Sequence, residues 1–260
     1  MAEPTLITFP PSLDSELSRF LLAHYQIRHE ERRHTLIFCF FVTLWHGFTL
    51  LFPLFYGRAL RLDTVRKIAD HFDPLARPER KLLPEDADRP KVEADWPVFN
   101  DTLAFATATF AYYHLLPHRS IMIRPLSEGA PRFESGAVRL AYPVFAGLLR
   151  VLLRLTKARA NEAFGKARAV FEAVDARLSD GRRYLVGDRL TLSDVAFAVA
   201  AAPFVLPDGY GGPLPTLSQM PPVMQRAIAE TRARPAGQFA LRIYEHHRNG
   251  GGNDELARSN

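Results

Sequence analysis

The clearest pattern of apolar and polar positions lies between Gly181 and Pro203, in GRRYLVGDRLTLSDVAFAVAAAP. Thr191 is an N-cap residue, because its hydroxyl suits the free backbone donors of a first helical turn. Asp194, three residues on, can reach back to the Thr191 N–H, a variant of the capping box with a shorter acid. Leu190 and Val195 stand where a hydrophobic staple puts its two apolar partners. The run Ala196 to Ala202 is small and apolar on every side, which predicts a buried helix.

A second pattern runs from Phe52 to Phe72, FPLFYGRALRLDTVRKIADHF. The stretch before Gly57 is apolar and aromatic, as in a buried strand. Pro53 has no N–H to give to a ladder, so it suits the start of that strand, where a cis bond is allowed. Tyr56-Gly57-Arg58 reads as a turn and Ala59 to Leu62 as a short partner strand. Leu62, Val65, Ile68, Ala69 and Phe72 then recur at helical spacing. Asp63 and Thr64 fall where that helix begins, beside free backbone N–H groups, and form a small cradle for an anion and an amine.

Further along, Asp73 to Pro97 is rich in Pro, Arg, Asp and Glu and reads as an exposed linker. Asp95 can cap a helix that begins near Trp96 and Pro97 and runs to about Leu116, with Phe99, Leu103, Phe110 and Tyr113 among its apolar positions. Phe133 to Leu155 reads as one long helix kinked at Pro143. Ala158 to Leu178 is another, with Phe164, Ala167, Phe171, Val174 and Leu178 on one face. Two short helices, Val223 to Ala233 and Ala236 to His247, follow a loop rich in Gly and Pro.

The order of these features resembles the glutathione transferase superfamily: a proline-led strand, a hairpin, an acidic–hydroxyl pair at a helix start and, far downstream, a GDRLTLSD capping motif. It resembles in particular bacterial glutathione transferase-like proteins with a serine-type active-site loop. Leu6 to Phe9 would be the first strand, Pro10 to Ser15 the active-site loop and Glu16 to Tyr25 the first helix. Arg19-Phe20-Leu21-Leu22 matches the family's Arg-x-x-Leu stretch. The resemblance spans residues 5 to 248. It implies an α/β thioredoxin-like N-terminal domain plus an all-α C-terminal domain. The glutathione-binding domain would occupy residues 1–76, a linker 77–95, the all-helical domain 96–248 and a disordered tail 249–260.

The resemblance also implies a chemistry. Glutathione would be the co-substrate, and its thiol would be added to, or used on, a small hydrophobic electrophile. Counted back from Arg19, Ser12 falls where the serine classes carry the thiol-activating hydroxyl. A hydroxyl at a helix N-terminus can donate to a thiolate and so lower the thiol pKa. The competing reading of Ser12 is a plain helix cap. Phe52 would pair its backbone with the cysteinyl backbone of glutathione beside a cis Pro53. Asp63 and Thr64 would bind the γ-glutamyl amine and carboxylate, or else simply cap their helix. Tyr112 and Tyr113 would line a second-substrate pocket, or else belong to an aromatic core. A homodimer is the family's usual state.

Composition narrows the field around this reading. The chain has 260 residues, 47% hydrophobic and 23% charged, as an ordinary globular protein does. Its formal charge of +5 is spread along helical segments, which favours a solvated surface over a nucleic-acid face. The single cysteine, Cys39, excludes an internal disulfide and a cysteine-based zinc cage, and no metal site is expected. The N-terminus has no basic segment followed by an apolar stretch, so a cytoplasmic protein is the default.

Leu36 to Tyr56 carries no formal charge, and by length alone could cross a membrane. His46-Gly47 and Pro53 interrupt it, which favours an apolar second helix followed by the strand. That second helix is more polar in the family. Its apolar character here supports an alternative: a non-catalytic protein of the same fold, acting in protein–protein or membrane-surface interaction.

Overall fold

A computed structural model describes residues 3–248. Four short strands form one sheet in the order β2-β1-β3-β4. They are β1 (Thr5–Thr8), β2 (Glu30–Arg33), β3 (Leu54–Gly57) and β4 (Leu60–Leu62). β1 pairs in parallel with β2 and antiparallel with β3, and β3 turns back onto β4 with Phe55 opposite Leu62. Helices α1 (Leu13–His24) and α2 (Leu36–Gly47) flank β2 in the chain, and α3 (Val65–Phe72) follows β4. β1 is buried along its whole length, as a central strand requires.

β2, with the sequence EERR, has no apolar residue to announce it. Tertiary pairing makes it a strand. Its alternation turns Glu31 and Arg33 inward, where Glu31 accepts from Thr8 Oγ1 at 2.6 Å and from Arg19 Nε at 2.8 Å. The outward Glu30 and Arg32 bond each other and leave the sheet with a charged edge, which discourages pairing with another chain.

The expected linker is largely ordered and partly buried. Asp73 accepts from the Leu82 N–H at 2.6 Å and from Tyr25 Oη at 2.9 Å, which pins the stretch to α1 and buries Leu82 and Leu83. The first helix beyond it begins earlier than the pattern predicts, as α4 (Arg89–Trp96). Pro90, in its first turn, serves as the proline-led start. Asp95 is not a cap; it takes a bidentate pair from Arg177 at 2.7 and 3.0 Å. At Pro97 the helix widens into a π-type turn, Pro97–Leu103, then resumes as α5 (Ala104–Leu115). A proline lacks the N–H for the regular ladder, and the wider turn accommodates it.

Three helices follow: α6 (Arg119–Ser127), α7 (Arg132–Leu140) and α8 (Tyr142–Leu152). The helix expected over 133–155 is therefore two helices. They meet at Ala141 with a bend of 86°. Pro143 falls in the first turn of α8, where its fixed φ suits a start rather than a kink. The remaining helices are α9 (Lys157–Leu178), α10 (Leu192–Val205), α11 (Pro222–Arg232) and α12 (Pro235–His247). The expected tail, 249–260, lies outside the described residues.

α10 is the centre of the helical part. Asp194 accepts from the Thr191 N–H and from the Leu185 N–H, both at 2.7 Å, and from Thr191 Oγ1 at 2.8 Å. Burial pushes its carboxyl up to about 6. Phe197 and Phe204 are buried and meet the rings of Phe99, Phe110, Phe171 and Phe239.

Candidate functional site

Ser12 is the N-cap of α1. Its backbone is extended, and its hydroxyl oxygen accepts from the Ser15 N–H at 3.3 Å. Accepting leaves the hydroxyl hydrogen to be donated elsewhere. The loop that carries it is held from behind. Ser12 N–H donates to Phe9 O at 3.1 Å, Ser15 Oγ accepts from Phe9 N–H at 3.2 Å, and Arg19 donates to Pro10 O. Arg19 is itself buried between Glu16 and Glu31.

The peptide bond between Phe52 and Pro53 is cis. The last paired residue of β3 is Leu54, opposite Ile7, so Phe52 lies just beyond the ladder. Thr64 is the N-cap of α3, and its Oγ1 accepts from the Lys67 N–H at 3.2 Å. Asp63 pairs with Lys67 Nζ at 2.7 Å, an exposed contact of small energetic weight.

Two cavities open around these residues. The smaller, about 300 Å³, is bordered by Pro53, Asp63, Thr64, Arg66 and Trp96. Arg66 is committed elsewhere, to Glu93 at 2.6 and 2.8 Å and to Asp70 at 2.8 Å. Polar recognition in this cavity therefore falls to Asp63, Thr64, Asp14, Asn100 and the backbone. The larger cleft, about 530 Å³, is mostly apolar. Ser12, Leu13 and Phe40 border it from one side, Phe105, Ala108 and Tyr112 from α5, and Leu149, Leu152 and Leu153 from α8 and the residue after it.

The two cavities share a border made of Asp14, Leu51, Phe52 and Asn100. Asp14 sits two residues from Ser12 on this seam. Burial, helped by the nearby Asp101 carboxylate, pushes its carboxyl up to about 6. Tyr112 lines the cleft, and its buried phenol has its pKa pushed above the ordinary tyrosine range. Tyr113 borders neither cavity; its ring meets His114 edge-on at 5.0 Å. Adjacent residues of a helix lie about 100° apart, and here that step turns Tyr113 away from the cleft that Tyr112 lines. Cys39 is buried, and burial pushes its thiol pKa up, as an inert core cysteine requires.

Sequence reasoning missed Asp14, Asn100 and Asp101. A signal existed for the last two. They are a polar pair inside an otherwise apolar helical run, FNDTLAFATATF, and the π-type turn that carries them faces the cleft. Such turns concentrate at functional sites.

Residues 157–225 match the C-terminal domain of glutathione S-transferase. No curated protein matches the chain. Among solved structures, the chain is similar to a glutathione S-transferase from Sinorhizobium meliloti. The two are 18% identical over 99% of each chain, with a TM-score of 0.56. It is similar also to the beta-etherase LigF from Sphingobium, at 16% identity over 92% of this chain and 98% of that one, with a TM-score of 0.59. A third is a glutathione transferase from Pseudomonas putida, which binds one glutathione disulfide per subunit. It is 15% identical over 93% of this chain and 91% of that one, with a TM-score of 0.54. At such identities the likeness is one of fold. Together with the matched domain, the fold supports the glutathione transferase superfamily for this chain.

Proposed function

We propose that the chain binds glutathione in the smaller cavity and uses its thiol on a small hydrophobic electrophile held in the cleft. The observation that carries this reading is the seam. A cavity of about 300 Å³ that carries Asp63 and Thr64 on its wall meets an apolar cleft at Asp14, Phe52 and Asn100, with Ser12 beside it. The bound glutathione disulfide of the Pseudomonas putida protein supports the same ligand class on this fold.

Each residue then has a task. Thr64 and the N-terminal amides of α3 would take the γ-glutamyl carboxylate, with Asp63 taking the amine. The Phe52 backbone, beyond the last strand pair, would bond the cysteinyl backbone by strand addition. The Ser12 hydroxyl, already positioned by Ser15 N–H, would donate to the thiolate, and the N-terminus of α1 adds favourable potential. The sulfur lone pair would form the new bond to carbon, and the leaving group would depart with its electron pair, or an added carbanion would take a proton from solvent. Desolvation by Phe40, Phe105 and Leu152 would make the bare thiolate more reactive.

Titration calorimetry with millimolar glutathione tests this. Binding is expected, lost in Thr64→Ala, with turnover of a hydrophobic electrophile lowered in Ser12→Ala. No binding at that concentration would leave the non-catalytic alternative.

A further inference from the structure

Outside the cleft, one large apolar face stands uncovered. On α2, Phe41, Leu44 and Trp45 are exposed, and their spacing puts them on one outward stripe, with the exposed Phe48 at the C-cap beside them. Trp45 is 80% and Phe48 78% exposed. The same surface continues on α7 and α8 through the exposed Phe133, Leu140, Val144 and Val151. Phe38 joins the two, meeting Phe133 edge-on with ring centroids 5.3 Å apart. Leu50, Leu51 and Leu152, also exposed, carry it to the mouth of the cleft.

The rim of this face is basic. Residues 119–157 hold seven Lys and Arg against two Glu. Both acids are engaged: Glu128 with Arg124, and Glu134, buried, with His34. Arg132, Arg139, Arg150 and Arg154 are exposed among the apolar side chains, and the Arg61 guanidinium lies 5.3 Å over the Phe48 ring.

We propose that this face docks on an anionic lipid bilayer. The aromatic and aliphatic side chains would enter the headgroup region, and the arginines would pair with lipid phosphates. No single described helix is long and apolar enough to cross a bilayer, and α7 and α8, which together are, meet at an 86° bend; α2 has 12 residues. The contact would therefore lie in the surface plane. A second copy fits this face poorly, because a two-fold contact would set one arginine rim against another. The inference does not rest on glutathione binding, but docking would open the cleft mouth toward lipid-dissolved acceptors.

Co-sedimentation of the full chain with vesicles tests it, using phosphatidylcholine alone and with about one-third phosphatidylglycerol. Binding is expected to the anionic vesicles and to be about ten-fold weaker on neutral ones or in high salt. In a Trp96→Phe background, Trp45 emission should shift to the blue on binding. Trp45→Glu and Phe48→Glu should each weaken binding about ten-fold. The proposal fails if anionic vesicles are not bound, or if binding ignores both lipid charge and Trp45. It fails also if light scattering shows a dimer that Trp45→Glu dissociates, since a second copy then covers the face. Should either variant misfold by circular dichroism, the lipid-charge and salt series on the unaltered chain decide alone. Glutathione titration is separate, so the two readings can fail independently.

Discussion

Glu134 on α7 secures the start of α2: its Oε2 accepts from the Thr35 backbone N–H at 2.8 Å, and its Oε1 lies 2.7 Å from His34 Nδ1. Thr35 is the N-cap of α2, yet its own hydroxyl caps nothing. Three residues on stands Phe38, where a capping box would place an acid. A carboxylate from 99 residues away does the work instead. Glu134→Ala would leave the buried Thr35 N–H unpaired, at a cost of about 1–3 kcal/mol. Denaturant unfolding should show that loss, and amide exchange should show it concentrated at the start of α2.

The capping box of α10 should be more costly to break. Asp194→Ala removes the acceptor of two buried backbone donors, Thr191 N–H and Leu185 N–H. About 3 kcal/mol of stability should be lost, against about 1–2 for Thr191→Ala. Urea midpoints of the two variants check the order.

His24 predicts a specific pH dependence. It is buried, with Nε2 3.0 Å from Arg80 O, and burial lowers its pKa from 6.5 to about 4. Unfolded, it takes up a proton near pH 6.5, so the unfolded state binds more protons between about pH 6.5 and 4. This contribution is complete above 6.5 and is lost as pH falls through that window. Asp14 and Asp194, both raised to about 6, run in the opposite sense, so the comparison must be a difference. From pH 7 to 5 the unaltered chain should lose about 2 kcal/mol more than His24→Gln. Parallel slopes for the two would show that the His24 burial has no such effect.

On the proposed binding mode, Asp14 bears on the thiol of glutathione. A carboxylate on the seam between the cavities opposes a second negative charge beside it. Asp14→Asn should therefore raise the thiolate fraction of bound glutathione at neutral pH, read by thiolate ultraviolet absorbance. A lowered thiolate fraction would instead make Asp14 a supporting acceptor and overturn the sign.

Two glycines separate close approach from open space. A Cβ on Gly212 would collide with the Pro10 carbonyl oxygen, directly behind the Ser12 loop, whereas a Cβ on Gly136 in α7 would meet nothing. Gly212→Ala should displace that loop and lower turnover several-fold. Gly136→Ala should stabilise by about 0.5–1 kcal/mol. Thermal melts and an activity assay on both variants give the contrast.

Much of the architecture was legible because it rests on neighbours in sequence. The α10 box, the staple of Leu190 and Val195, and the hairpin leading to Thr64 are all specified within a few residues, where capping and turn chemistry act. Thr64 was placed at a helix start for the same reason, whereas Ser12 was placed by the resemblance, and α1 begins at Leu13 inside the loop expected over Pro10 to Ser15. The sequence by itself thus determined where α3 and α10 begin and marked the segment of α2 as unusually apolar.

Tertiary structure decided the rest. EERR becomes a strand only because β1 lies beside it and Arg19 answers Glu31. The helix over 133–155 breaks at Ala141, ahead of Pro143, where the buried Tyr142 donates to Leu116 O at 2.8 Å across 26 residues. Tyr112 enters the cleft and Tyr113 does not, a matter of helix phase fixed by packing. Asp14 acquires its raised pKa from burial and from Asp101, far away in sequence. Local rules act through backbone donors a turn apart, whereas burial and charge act through space, and only the folded chain sets those distances.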